Sequence, residues 1–158
     1  MVVESTIRRA LLAVALPLLA GVLACQKPAP ALAYEAKPGC IFCKIVAGTA
    51  PSKKVYEDDR VLAFWDIAPR AKVHVLVIPK QHVESMRELE LLPMESRAAL
   101  LSACLKVAQD QGLTEAGFRI ITNAGKNASQ SVFHLHFHVV GGEKLPEDAV
   151  RLRPKDAN

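Results

Sequence analysis

Val132-Phe133-His134-Leu135-His136-Phe137-His138-Val139-Val140 is the stretch on which the reading of the whole chain turns. Imidazole and apolar side chains alternate, and successive side chains of a strand point to opposite faces. The alternation predicts a strand over residues 132–140. It turns His134, His136 and His138 to one face and Leu135, Phe137 and Val139 into the core. Histidine is a minority residue in cores and rarely clusters there, so a row of imidazoles on one face points to chemistry. Neutral imidazole is a good nucleophile near neutral pH. Attack on phosphorus splits one hard displacement into two easier ones, and flanking imidazoles can donate to phosphoryl oxygens. Alternating histidines also chelate zinc or copper, so a metal carrier is the competing reading.

Working outward, Asn123-Ala124-Gly125-Lys126-Asn127-Ala128-Ser129-Gln130-Ser131 is a loop of small and amide residues just before the histidines. Its backbone donors suit a phosphate; a plain solvent loop is the alternative. Residues 73–78, Val-His-Val-Leu-Val-Ile before Pro79, form a β-branched run and predict a buried strand. Residues 53–57 and 60–66 predict two more strands joined at the polar turn Glu57-Asp58-Asp59. Residues 118–122 predict another strand. Residues 93–111 predict the longest helix, with Met94, Ala98, Leu101, Leu105 and Ala108 as its buried stripe and Gly112 as its stop. Residues 40–46 predict a short helix ended by Gly48. Strands outnumber long helices and several connections are hairpin-length. The fold class is therefore α+β: an antiparallel five-stranded sheet with one long and one short helix.

The 158 residues allow one ordinary domain plus an appendage, and 51% hydrophobic residues suffice for a core without disulfides. The net charge of +4 is scattered, and one Trp, two Tyr and five Phe give no basic stripe with interleaved aromatics. A nucleic-acid groove is excluded on that ground. The N-terminal part differs. Arg8 and Arg9 precede an uncharged apolar run of 15 residues, 10–24. It is shorter than the roughly 20 residues of a membrane span and suits the hydrophobic part of a secretory signal. Val22-Leu23-Ala24-Cys25 resembles a lipobox with Cys25 as the lipidated residue, whereas Ala31-Leu32-Ala33 offers an A-x-A cleavage site before Tyr34. The expected organisation is a signal peptide or lipoprotein signal over residues 1–24, a Pro- and Ala-rich linker over 25–36, the folded domain over 37–142 and a charged tail over 143–158. The expected location is the periplasm, free or lipid-anchored to the bacterial envelope. Membrane contact is expected only through that N-terminal segment, and a cytoplasmic protein follows if the start codon is misplaced.

The run from Ser131 through the histidines to Gly141-Gly142 resembles the signature of the histidine triad (HIT) superfamily. The Gln130-Ser131 lead-in and the Gly-Gly exit resemble its Hint branch, the histidine triad nucleotide-binding proteins. The likeness extends from about Gly39 to Gly142, with Phe64-Trp65-Asp66-Ile67, His74 to Lys80 and Asn123 in the expected order. The resemblance implies the HIT fold, usually as a homodimer whose sheets join. It implies a hydrolase of purine nucleotides or their conjugates acting at the α-phosphate, typically on a phosphoramidate P–N bond, through a nucleotidylated His136. It further implies that His138 and His74 line the phosphate site and that Ser131 contacts phosphate or leaving group. Asp66 would hold the ribose, with Ile41, Phe42, Phe64 and Ile67 around the base, and Asn123, Ser129 and Gln130 would form the nucleotide-binding loop. On their own residues, Asp66 reads equally as a turn cap and the apolar four as core. Dinucleoside polyphosphate hydrolysis and a non-catalytic nucleotide- or metal-binding module are the alternatives. Ser129, where the family often has Gly, and Ala124, where an acidic residue is common, are departures.

Cys40-Ile41-Phe42-Cys43 taken alone reads as redox-active, metal-binding or structural. The resemblance extends to bacterial HIT proteins with such a motif, and implies a structural zinc on Cys40, Cys43, His82 and His134, with a disulfide as the alternative in an oxidising compartment. No organic cofactor is implied. Cys104, on the long helix, reads as a packed apolar residue.

Overall fold

A computed structural model describes residues 36–146. The expected signal segment, the linker up to residue 35 and the tail beyond residue 146 lie outside the described residues. Five strands form one antiparallel sheet in the order β1-β2-β3-β5-β4. They are β1 (Lys54–Glu57), β2 (Val61–Trp65), β3 (Val73–Pro79), β4 (Phe118–Ile121) and β5 (Phe137–Gly141), with helices α1 (Ile41–Val46) and α2 (Met94–Asp110).

Local chemistry sets these boundaries. The β1–β2 hairpin closes on Asp58, whose Oδ1 accepts from the amides of Arg60 and Val61 at 2.7 and 2.8 Å, the turn role for which a short acidic side chain suits. Cys40 caps α1, its sulfur accepting from the Cys43 amide at 3.4 Å. The stop of α2 is a Schellman motif. Gly112 takes φ +67°, its amide bonds to Gln109 O, and the Leu113 amide reaches back to Ala108 O at 2.8 Å.

The sheet separates two cores. On one face α2 packs on Val61, Ala63, Val75, Val77, Phe137 and Val139. On the other, α1 packs Phe42 and Ile45 on Leu62, Phe64, Leu76 and Ile78. Register carries the imidazoles to the α1 face: Leu76 pairs with His138, and His74 pairs with Val140. His74 and His138 are therefore diagonal neighbours on one surface.

Two expectations are corrected. The strand predicted over residues 132–140 begins only at Phe137. Continuing the β3–β5 register past Val77–Phe137 sets Leu135 opposite Pro79, which has no N–H to give the ladder. The Leu135 amide bonds to Val83 O instead, at 2.7 Å. Side chains nevertheless keep alternating through the irregular stretch, and Leu135 joins the α2 core. The second correction concerns α2. Met94, Leu101 and Leu105 are 67%, 55% and 52% exposed and Ala98 is exposed too, whereas Ser96, Leu100, Ala103, Cys104, Val107 and Ala108 are buried. The helix has two apolar stripes. The one with the smaller residues faces the sheet, because Ala and Cys allow a close approach, and of the expected stripe only Ala108 is inside.

The 3₁₀ turns Met86–Leu91 and Lys126–Ala128 were not expected from the sequence. The first starts with a capping box between Ser85 and Glu88, a Ser-x-x-Glu signal that was there to be read.

Candidate functional site

A cavity of about 770 Å³ opens on the α1 face of the sheet. His74, His136 and His138 line it, together with Asp66, Asn123, Ser129 and Ser131 and the apolar side chains of Ile41, Phe42, Phe64 and Ile67. The His136 ring lies edge-on to Phe42, centroids 5.4 Å apart, and 5.0 Å from the His138 ring.

Hydrogen bonds assign the proton on each imidazole. The His136 Nδ1–H donates to the carbonyl of His134 at 2.7 Å, which leaves the Nε2 lone pair free. The Thr122 hydroxyl donates to the carbonyl of His136 at 2.9 Å, replacing a ladder bond where β5 has not yet begun. The amide of Arg70 donates to His74 Nδ1 at 3.1 Å. His74 Nε2 must then carry the proton, and it donates to His138 Nδ1 at 2.8 Å. The chain ends with a proton on His138 Nε2. Burial, followed by the neighbouring His136 and His74, pushes His138 down to about 4. Burial likewise holds His136 and His74 below the usual histidine value. The site thus presents one imidazole as a lone pair and another as a neutral N–H donor. Asp66 stands beside them, Oδ2 3.4 Å from His74 Nε2 and Oδ1 accepting from the Ala68 amide.

A second cluster adjoins the cavity. Cys40, Cys43, His82 and His134 bring one ligand atom each to within 4.8 Å of one another. His82 Nδ1 and His134 Nδ1 are 3.2 Å apart, and Cys43 Sγ lies 3.3 and 3.6 Å from them. Cys40 Sγ is 3.5 Å from His134 Nδ1. Zinc bonds of about 2.3 Å to sulfur and about 2.0–2.1 Å to nitrogen in a tetrahedron give edges of about 3.3–3.4 Å (N to N) and about 3.5–3.6 Å (N to S). The edges from His134 to Cys40, Cys43 and His82, and from Cys43 to His82, lie within about 0.3 Å of that outline. His134 Nε2–H donates to the carbonyl of Pro79 at 2.9 Å, a bond that fixes the tautomer and aims the Nδ1 lone pair at the centre of the cluster. Burial pushes His134 down to about 4, so its ring is in the neutral, ligating form. Cys40 and Cys43 are free thiols.

A family model described as the HIT domain matches residues 47–145. The chain belongs to the HIT family. An uncharacterized HIT-like protein of Helicobacter pylori is 44% identical over 104 residues, covering 66% of this chain and 97% of the relative. The adenylylsulfatase HINT1 of Arabidopsis thaliana is 40% identical over 126 residues, covering 78% of this chain and 85% of its own. A HIT family hydrolase from Clostridium thermocellum has the same fold, with a TM-score of 0.68 at 44% identity over 71% of this chain and 97% of that one. A histidine triad protein from Clostridium difficile gives 0.66 at 43% identity, over 72% and 98%.

Within this HIT domain the histidine alternation serves two places. His136 and His138 reach the cavity, whereas His134 turns into the cysteine cluster. Ile41 and Phe42, between the two cysteines, line the cavity, so the C-x-x-C segment feeds both sites. Ile67 stands at the rim, 97% exposed. Gln130, expected in the nucleotide-binding loop, is corrected: it is 5% exposed and its side chain is spent on backbone groups. It does not line the cavity. Sequence reading missed Arg70 and Leu76, both of which line it. Leu76 was findable, since it lies two residues from His74 and so on the same face; Arg70 sits in a turn with no such signal.

Asp66, His74 and His138 also converge closely enough to suggest a metal. Proton placement argues otherwise. With an amide N–H already aimed at Nδ1, His74 must keep its proton on Nε2, the atom a metal would need. In the cysteine cluster the same reasoning gives the opposite answer, because the bond from His134 Nε2 leaves Nδ1 free.

Proposed function

We propose that this HIT protein hydrolyses purine nucleotide conjugates at the α-phosphate, in the manner of the Hint branch, with a nucleoside phosphoramidate as the substrate class. The observation that carries the reading is the pair of proton assignments at His136 and His138. His136 Nε2 attacks phosphorus. An N–P bond forms as the bond from phosphorus to the leaving nitrogen breaks, and that nitrogen takes up a proton from water as it departs; the water that later attacks gives a proton back to solvent. The proton left on His136 Nδ1 faces the His134 carbonyl, which stabilises the positive charge on the modified ring. His138 Nε2–H donates to the phosphoryl oxygen where charge accumulates. Water then cleaves the N–P bond and releases the nucleoside monophosphate. Ser131 serves the phosphate or the leaving group, Asn123 and Ser129 the phosphate loop, Asp66 the ribose hydroxyls, and Ile41, Phe42, Phe64 and Ile67 the base.

A second reading, the same chemistry on an adenylyl sulfate, is favoured by the relative named as an adenylylsulfatase. The metal-carrier reading loses ground to the proton placement on His74. Bound at Cys40, Cys43, His82 and His134, zinc supplies a structural cross-link between α1, the segment after β3 and the entry to β5. No open position is left for substrate. Assembly as a homodimer is supported by the apolar stripe of Met94, Leu101 and Leu105, which a second copy would cover. Export to the periplasm, free or lipid-anchored through Cys25, rests on Arg8 and Arg9, the apolar run 10–24 and the two cleavage signals that follow it, and the bounds 1–24, 25–36, 37–142 and 143–158 are proposed on the sequence in the same way.

The test is AMP release from adenosine 5′-phosphoramidate by the purified protein, with His136→Ala in parallel. Release by the wild type and its near-abolition in the variant is the expected result. No release by a wild type that binds AMP overturns the hydrolase reading for this substrate.

A further inference from the structure

Gln130 is a buried amide with every hydrogen-bonding group used. Its Oε1 accepts from the Gly125 amide at 2.8 Å, and its Nε2 donates to the carbonyls of Glu84 at 2.7 Å and Val132 at 2.9 Å. One side chain thus ties together three segments: the loop after β4, the segment after His82, and the chain that enters the triad. Gly125 is held from both sides by the same residue, because the backbone amide of Gln130 also donates to Gly125 O, at 3.2 Å.

The loop so closed is a constrained one. Gly125 has φ +88° and Ser129 φ +59°, the left-handed region that side chains other than glycine adopt at a cost. Ala128 and Ser129 donate back to Gly125 and Lys126 within the turn. Outside it, the flexible end of Arg87 lies over Gly125, where an added Cβ would stand 2.8 Å from Nη2; the constraint at Gly125 is its positive φ rather than this contact. Asn123, Ser129 and Ser131, on either side of this closure, line the cavity beside His136.

We infer that Gln130 is a positioning residue that holds residues 123–131 as a preformed cradle for the nucleotide phosphate without itself touching the nucleotide. The inference rests on the reading of the cavity as a nucleotide site. It differs from a role as a ligand contact because both amide N–H groups and the amide oxygen already bond backbone groups and the residue does not line the cavity. A cradle fixed before binding needs no ordering when phosphate arrives, and that saving appears as phosphate affinity.

The test compares AMP with adenosine, which has no phosphate, on the full chain of the wild type, Gln130→Glu and Gln130→Met. Glutamate keeps the shape but sets a carboxylate oxygen against two carbonyls; methionine removes all three bonds. Titration calorimetry is expected to give AMP affinity about tenfold weaker in both variants, the scale of one buried hydrogen bond left unmade, with adenosine affinity unchanged. Equal weakening of AMP and adenosine, or unchanged AMP affinity in a folded variant, overturns the inference. A readout in the wild type alone guards against variants that do not fold. The Gly125 amide is expected to exchange slowly with deuterium before any nucleotide is added, and rapid exchange that slows only with AMP overturns the preformed cradle. A wild type that binds adenosine and AMP equally weakly refutes the nucleotide reading itself, and the role given to Gln130 falls with it.

Discussion

Replacing Cys43 by serine removes a thiol from the middle of the Cys2His2 cluster with almost no change of shape. Cys43 is 1% exposed and its sulfur lies 3.3 and 3.6 Å from the two imidazole nitrogens, so its loss opens one corner of the tetrahedron. A metal that binds only the folded chain stabilises it by RT ln(1 + [L]/Kd), about 4 kcal/mol when free metal is a thousandfold above Kd. For a domain of this size that corresponds to a rise of roughly 15 °C in Tm, at about 4 °C per kcal/mol. Chelator-treated wild type in a zinc buffer that holds free metal about a thousandfold above Kd is expected to take up one ion per chain and to show a rise of that order. Cys43→Ser is expected to lose most of the rise, because a neutral hydroxyl is a poor substitute for a thiolate. Thermal unfolding with and without zinc, alongside elemental analysis, measures both. A wild type that takes up no zinc refutes the argument, and so does a rise that survives in both Cys43→Ser and Cys40→Ser. A mass lower by two hydrogens, restored by reductant, would show that the thiols pair with each other instead.

Acid should weaken the fold through His138. Its folded value, about 4, lies below the unfolded value of about 6.5, so the unfolded chain binds the extra proton. Stability from this group is complete above about pH 6.5 and falls as the pH drops towards about 4, by up to about 1.4 kcal/mol per pH unit. Urea midpoints between pH 7.5 and 5 should fall less steeply for His138→Asn than for the wild type, and equal slopes contradict the assignment. The exposed stripe on α2 carries the third expectation: the wild type is a dimer by light scattering, and L101K/L105K is a monomer with the same secondary structure. A monomeric wild type, or a dimeric variant, removes that stripe from the interface.

What the sequence made legible was whatever depends on period and on a single side chain. Alternation through residues 134–139 separated imidazoles from core even where no regular strand exists, because sidedness survives the loss of ladder bonds. The hairpin at Asp58 and the stop at Gly112 were readable for the same reason: each rests on one residue with one local job. The buried face of α2 was not readable, since both of its stripes are apolar and the larger residues misled. Which stripe faces the sheet depends on how closely the helix approaches, a property of the partner surface. Gln130 could not be placed either, because an amide that serves a ligand and one that serves backbone look alike until the surrounding carbonyls are known. At Asp66 the turn-cap reading is seen directly: one carboxylate oxygen accepts from the Ala68 amide, and the other faces His74 at the cavity.

His134 serves the His136 ring and the Cys2His2 cluster with different parts of one residue: its carbonyl accepts from His136 Nδ1–H, and its imidazole lies among the cysteines. Every substitution at position 134 keeps the carbonyl and loses only the imidazole. The triad is therefore divisible in inheritance. On the proposed mechanism positions 136 and 138 are bound to the chemistry, while position 134 is free to drift in any descendant that finds another brace for the gap between α1 and the segment carrying His82. On that mechanism an alanine scan across the three histidines is expected to report two losses of activity in a folded protein and one loss of architecture, at His134.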